Sequence, residues 1–392
     1  MQHPDRYTPP PAGSISLGED RAVELLGLIG RGTMSFVHGA LLHDLHTGLS
    51  RKVAIKIFGT SATEDRAVVE SAILRSARRS ACILHPNVVS VFEYGVFEQC
   101  QPYLVTELVP GLSLRRFLDA VTAEGRRLPL DLALFITLEI AEALAGAHLA
   151  KGPLGQQLSV IHGELSTREV LLSSDGRVKV ADFELAGARH AASSIRNLKM
   201  IAHRAVSLAP EVVSGVPADA RADVFSLGLL LREMLVGPRF TQPAHHAEVI
   251  ALARDGAMDQ PSFRPRLSRE LFDVLNRALA ADPEERYGDA GLMEFDLRRV
   301  ALSLGVGDMR VFLRNEMAKL LAQAKRASGA VPRMAEASAE GAAIAGEGRI
   351  SALRRRDSTP EAAFRERWAS DVDDATDVDH ASDVDDLSEV DE

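Results

Sequence analysis

The chain has 392 residues, 46% of them hydrophobic and 26% charged, enough apolar material for one large domain or two ordinary ones. Its net charge of −10 is concentrated: residues 369–392 hold 11 acidic side chains and no lysine or arginine, leaving 44 acidic against 45 basic elsewhere. A near-neutral body lacks the basic footprint of a nucleic-acid binder, and the opening MQHPDRYTPPPAG lacks the apolar run of a signal peptide.

Four regions follow from composition: a polar leader (1–20), a folded body (21–304), a helix-like addition (305–327) and a C-terminal part (328–392). The last is Ala/Gly-rich, then basic, then acidic, and is poor in large apolar residues, so it is expected to be disordered. Cys82 and Cys100 fit no metal or redox spacing, and the expected setting is reducing and cytoplasmic.

Along the body, LLGLIGRGTMSFVHGALL (25–42) reads as strand, glycine turn and strand around Gly30, Gly32 and Ser35. Glycine there lets backbone approach phosphate, although any hairpin turn gives the same letters. KVAIKIF (52–58) is a second strand with Lys56 inside it, either an edge lysine or one that holds phosphate oxygens. A helical pattern spans TEDRAVVESAILRSARRSACIL, with Glu70, Ile73, Leu74 and Ala77 on one face. Two strand segments follow, HPNVVSVFEYG and YLVTELVPG. The apolar stretch 130–150 carries Asp131, Glu139 and Glu142 at helical spacing, which suits an amphipathic core helix rather than a membrane span of ~20 nearly charge-free residues.

VIHGELSTREVLL, VKVADFELA, SLAPEVVSG, RADVFSLGLLLREMLVG and DPEERY then appear in that order. With Glu164 to Asp182 separated by 18 positions and Glu211 to Asp223 by 12, the set resembles the eukaryotic-type Ser/Thr protein kinase family over about 285 residues. The resemblance implies an α+β, bilobal kinase fold: a β-rich N-lobe to about Val109 and a helical C-lobe beyond it. Gly30, Gly32 and Val37 match the glycine-rich loop. Ala54 and Lys56 match the strand that holds the α/β-phosphates, with Glu70 as the partner of Lys56. Thr106 takes the gatekeeper position, Glu107 and Val109 the hinge that meets adenine, and Leu171 the pocket floor. A Glu211–Arg286 ion pair is expected in the C-lobe.

The same mapping exposes substitutions. His162-Gly163-Glu164-Leu165-Ser166-Thr167-Arg168-Glu169 stands where the family reads His-Arg-Asp-Leu-Lys-Pro-Glu-Asn. The catalytic positions thus hold Glu164 for the base and Ser166 for the phosphate-facing lysine. Glu169 replaces the metal-binding asparagine, Asp182 remains as the metal aspartate, both able to ligate a metal through oxygen, and Glu184 replaces the glycine after Asp182–Phe183. Moving a carboxylate by one bond, near 1 Å, can cost ~10²-fold. Losing a cation from the transferred phosphoryl can cost another ~10²-fold. Lys56, Glu164, Ser166, Glu169 and Asp182 together sum to −2, and Glu184 makes −3. These residues imply weak ATP binding that depends on Mg²⁺ or Mn²⁺, with impaired or absent phosphotransfer and action through protein partners. An active Ser/Thr kinase using Glu164 is the alternative. HGEL also resembles the His-Gly-Asp loop of small-molecule phosphotransferases, against which SLAPE and Arg286 weigh. In the tail, a Ser/Thr-Asp/Glu-Val-Asp unit recurs every six residues from Ser370, Thr376, Ser382 and Ser388, as a repeated motif for a basic partner would.

Overall fold

Alternating apolar residues build an antiparallel sheet first. In this computed structural model the described residues are 14–18, 20–32, 35–59, 66–97, 101–183, 198–240, 245–258 and 267–328. The leader to residue 13, Glu184, and the tail with its hexads lie outside them. Strands β1 (Ser14–Ser16), β2 (Arg21–Arg31), β3 (Ser35–Asp44), β4 (Ser50–Phe58), β5 (Val91–Val96) and β6 (Pro102–Glu107) form a six-stranded sheet in the order β1-β2-β3-β4-β6-β5. The two-residue period of β4 sends Val53, Ile55 and Ile57 into a cluster with Val23, Ala40, Leu42 and Val105. Its other face presents Ala54, Lys56 and Phe58. Phe58 packs with Ala72, Ile73 and Ala77 of helix α1 (Arg66–Ser80). Lys56 is thereby held on the face that the rest of the protein closes.

Helices make the second lobe: α2 (Leu114–Ala123), α3 (Leu130–His148), α4 (Leu198–Ala205), α5 (Pro210–Val213), α6 (Ala220–Val236), α7 (His246–Arg254), α8 (Arg269–Ala278), α9 (Ala290–Ser303) and α10 (Arg310–Ser328). A small sheet of β7 (Gly111–Ser113), β8 (Val170–Ser173) and β9 (Val178–Val180) lies among them. Several helices start on side-chain caps: Ser113, Asp219 and Ser268 accept from Arg116, Arg221 and Leu271 backbone N–H groups. The core gathers Phe117, Leu134, Ile140, Leu144, Leu165, Leu227 and Leu231. Among the described residues no helix is long and apolar enough to cross a membrane.

The expected Glu211–Arg286 pair is present and bidentate, at 2.7 and 2.8 Å. Arg286 also donates to the carbonyls of Ala280, Ala281 and Arg221, so its buried guanidinium is well provided with acceptors.

Two features go beyond what spacing alone conveys. Glu139 belongs to no solvent stripe; it is buried on α3, accepting from Asn87 Nδ2 at 2.5 Å and from Arg310 at 2.9 Å. A buried carboxylate survives there because both contacts are charge-assisted. Helix α10, expected as an addition over 305–327, inserts Leu313, Met317 and Leu320 into the same core as α3 and α6. Its Glu316 is buried between Arg126 and Lys319, each at 2.6 Å. Gly176 (φ +88°) passes so close to this helix that a Cβ would sit 2.1 Å from the Arg310 carbonyl oxygen. Met317→Ala is therefore expected to lower the stability of the whole domain by about 2–5 kcal/mol, read by urea unfolding. An unchanged midpoint would show that α10 rests on the lobe without supporting it.

Candidate active site

The nucleotide side is assembled by the strands. Gly30 pairs with Val37 across the β2–β3 hairpin, and Gly32 N–H donates to Ser35 O at 2.7 Å. Ala54 lies opposite Thr106 in the β4–β6 ladder. From the neighbouring position Lys56 reaches across the cleft: its Nζ is 2.6 Å from Asp182 Oδ2, joining residues 126 positions apart. Asp182 follows β9 in a left-handed conformation (φ +66°), which Asp tolerates better than most residues and which recurs at functional sites. Phe183 behind it is buried against His162, ring centroids 4.9 Å apart.

Glu70 is not joined to Lys56 here. It lines a shallow groove on α1 with Ala67, Ser71, Leu74, Arg75 and Arg78, while Asp182 holds the lysine. Helical geometry explains this: the buried face of α1 runs through Ala72, Ile73, Ser76 and Ala77, and Glu70 lies toward its edge. At the hinge, Glu107 donates its N–H to Ser90 O at 2.9 Å, and its carboxylate accepts from Lys179 Nζ at 2.8 Å. Val109 is half-buried just beyond, and Leu171, also half-buried, sits in β8 opposite Ser113. Lys179 carries no motif signature. It is a buried lysine in an apolar strand whose acceptor lies 72 positions away.

The catalytic loop hangs from one buried carboxylate. Asp223 of α6 accepts from the N–H groups of His162 and Gly163, both at 2.8 Å, and lies 2.9 Å from His148 Nε2. Gly163 takes φ +77°, a conformation suited to glycine. His162 Nε2 lies 3.0 Å from Ala181 O, tying the loop to the residue before Asp182. Ser166 donates to Glu169 Oε2 at 2.5 Å, and Glu169 O accepts from Ala181 N–H at 2.9 Å.

Glu164, at the base position, is 7% exposed and forms an ion pair with Arg204 of α4. Burial pushes the Arg204 guanidinium below its ordinary value, yet an arginine remains charged in a protein. No motif marks Arg204. The signal that points to it is the unmatched carboxylate itself, because a buried Glu164 needs a cation that Ser166 cannot supply. Counting Arg204, the described set of Lys56, Arg204, Glu164, Glu169 and Asp182 carries one net negative charge rather than two.

A protein tyrosine and serine/threonine kinase sequence profile matches residues 23–294. Serine/threonine-protein kinase PknB of Mycobacterium tuberculosis is 33% identical over 282 residues, 71% of this chain and 42% of that protein. A probable serine/threonine-protein kinase of Streptomyces coelicolor is 31% identical over 279 residues, 70% of this chain and 39% of that protein. The chain thus spans about two fifths of the length of these relatives. The crystal structure of the M. tuberculosis PknI kinase domain is 25% identical and has a TM-score of 0.51, covering 73% of this chain and 99% of that one. The chain belongs to the protein tyrosine and serine/threonine kinase family.

Proposed function

We propose that this chain is a kinase-fold signalling protein that holds ATP weakly through Mg²⁺ or Mn²⁺, transfers phosphate very slowly or not at all, and acts by binding proteins. The observation that carries the reading is the state of Glu164: a base must come within ~2.6–3.2 Å of the hydroxyl proton it takes, and this carboxylate is buried and paired. Ser166 and Glu169, at the positions of the lysine and asparagine, are bonded to each other.

The fit of a metal is limited by the donors present. Among the described residues no group of three or more His, Cys, Asp or Glu side chains is placed to hold an ion. Asp182 and Glu169 offer two hard oxygen ligands, with phosphate and water completing the shell, a mode that suits Mg²⁺. Bound there, the ion would neutralise phosphate charge. Lys56 would face the phosphates from β4, Gly30 and Gly32 would cover them, and Ala54, Glu107, Val109 and Leu171 would enclose the base. Each metal carboxylate is already engaged, Asp182 by Lys56 and Glu169 by Ser166, so binding must displace or share these contacts, which keeps it weak.

The rival reading is an active Ser/Thr kinase with Glu164 as base. In its favour stand the Lys56–Asp182 alignment and the kinase relatives. It demands that α4 move away from Glu164. Partners are expected on the C-lobe and the acidic tail, in the cytoplasm.

Thermal shift should show a rise with ATP only when Mg²⁺ or Mn²⁺ is present, abolished in Lys56→Met. Tight metal-free binding, or none with either metal, contradicts the proposal. Turnover should lie well below ~1 s⁻¹, the low end for kinases. Restoring the family residues (Glu164→Asp, Ser166→Lys, Glu169→Asn, Glu184→Gly) should raise it, whereas fast wild-type turnover lost in Glu164→Ala establishes the rival. Removing residues 369–392 should leave the melting temperature unchanged and abolish a salt-sensitive protein interaction. A drop of several degrees would mean that the tail supports the folded body.

A further inference from the structure

Helix α10 lies outside residues 23–294, the part of the chain that matches the kinase family, yet it is joined to the strand that leads into the cleft. Its first residue, Arg310, meets Glu139 of α3 at 2.9 Å, and Glu139 in turn accepts from Asn87 Nδ2 at 2.5 Å. The Glu139 side chain is only 9% exposed, so both contacts act where solvent screens little. Asn87 passes the restraint on to β9. Its amide also donates to Val178 O at 3.0 Å, and its own carbonyl accepts from Val180 N–H at 2.7 Å. One residue thus grips the first and last positions of β9, and Asp182 follows two residues later. Val89 N–H adds a bond to Val180 O at 2.9 Å. Between them Lys179 donates to Glu107 of the hinge at 2.8 Å. Apolar packing runs in parallel, since Leu313 and Met317 of α10 share a core with Val178 and Val180.

We infer that Arg310 is a positioning residue for the nucleotide cleft. Through Glu139 and Asn87 it sets β9, and with β9 both Asp182 and the hinge, so that releasing the start of α10 weakens nucleotide binding. The consequence for binding rests on the ATP reading above and extends it to a helix beyond the family match. Coupling of this kind travels through contiguous hydrogen-bonded and packed groups, and here each link is a named contact. The relay opens most readily at its outer end. Arg310 is half exposed, whereas the carboxylate it meets is enclosed. Without Arg310, Glu139 becomes a buried charge that has lost its cation, and Asn87 must accommodate it.

Hydrogen exchange and ATP affinity, both measured on the full chain, test the relay. Arg310→Gln should speed exchange in peptides covering 87–91 and 176–183 by about tenfold relative to 220–236 of α6, a ratio that a uniform loss of stability does not change. Arg310→Lys, which keeps the cation, should return the ratio to near the wild-type value. Arg126→Gln breaks the Arg126–Glu316 pair of the same helix and should leave the ratio unaltered. An unchanged ratio in Arg310→Gln, or no recovery in Arg310→Lys, means that Arg310 does not set β9. With Mg²⁺ or Mn²⁺ present, Arg310→Gln should also weaken ATP binding by about tenfold, while Arg126→Gln keeps the wild-type affinity. Unchanged affinity in Arg310→Gln overturns the positioning role whatever the exchange shows. If the wild-type chain itself binds no ATP, the ATP reading falls, and the exchange ratio alone decides whether Arg310 sets β9.

Discussion

The carboxylate of Asp223 fixes the geometry on which the rest of the site depends. It is fully buried on α6, and a lone charge there would cost several kcal/mol. Two backbone N–H groups and the His148 ring meet its oxygens, so the charge is accommodated while three segments of chain are joined. Because two of those donors are consecutive, the backbone of 162–163 is held in one orientation, and Gly163 must turn to φ +77°. For a residue with a Cβ that conformation costs roughly 1–2 kcal/mol. The glycine at a family arginine position thus relaxes the backbone even as it removes a charged side chain. From this anchor Leu165 is driven fully into the core, and Glu164 and Ser166 are turned the other way. The backbone of the loop is thus fixed by Asp223 whatever side chains it carries.

Electrostatics within that scaffold follow a simple arrangement in which each carboxylate has its own partner. Asp182 has Lys56, Glu164 has Arg204, and Glu169 has the Ser166 hydroxyl. Unit charges 4 Å apart at an effective dielectric near 20 interact by about 4 kcal/mol, so three unpaired carboxylates in one cleft would repel severely. Local pairing removes much of that repulsion and, among these described residues, leaves a single excess negative charge. Lys56 and Asp182 satisfy each other across the cleft.

What could be read from residues alone divides along a physical line. Strand and helix periodicity, turn glycines and the order of motifs located Lys56, Asp182, the loop at 162–169 and the Glu211–Arg286 pair, because each leaves a local pattern or a fixed spacing. Polar contacts between distant segments leave none. Glu139 looked like one member of a polar helical stripe, but its partners Asn87 and Arg310 are 52 and 171 positions away. Lys179 and Glu107 are similarly remote, and their pairing has no periodicity to betray it. Residues 305–327 read only as an additional helix; packing reveals that Leu313 and Met317 join the core. Glu70 was placed by helical phase to within one face, yet phase does not say how far a helix stands from a lysine.

Arg204 makes another such contact that spacing does not reveal. A catalytic carboxylate has to keep some of its charge available, because the proton it accepts must find the base more attractive than solvent. A structural carboxylate is the opposite: buried and paired. Glu164 has the surroundings of the second, buried and paired with a cation on another helix. Glu164 and Arg204 thus meet across 40 positions of chain, while Lys56 and Asp182 meet across 126.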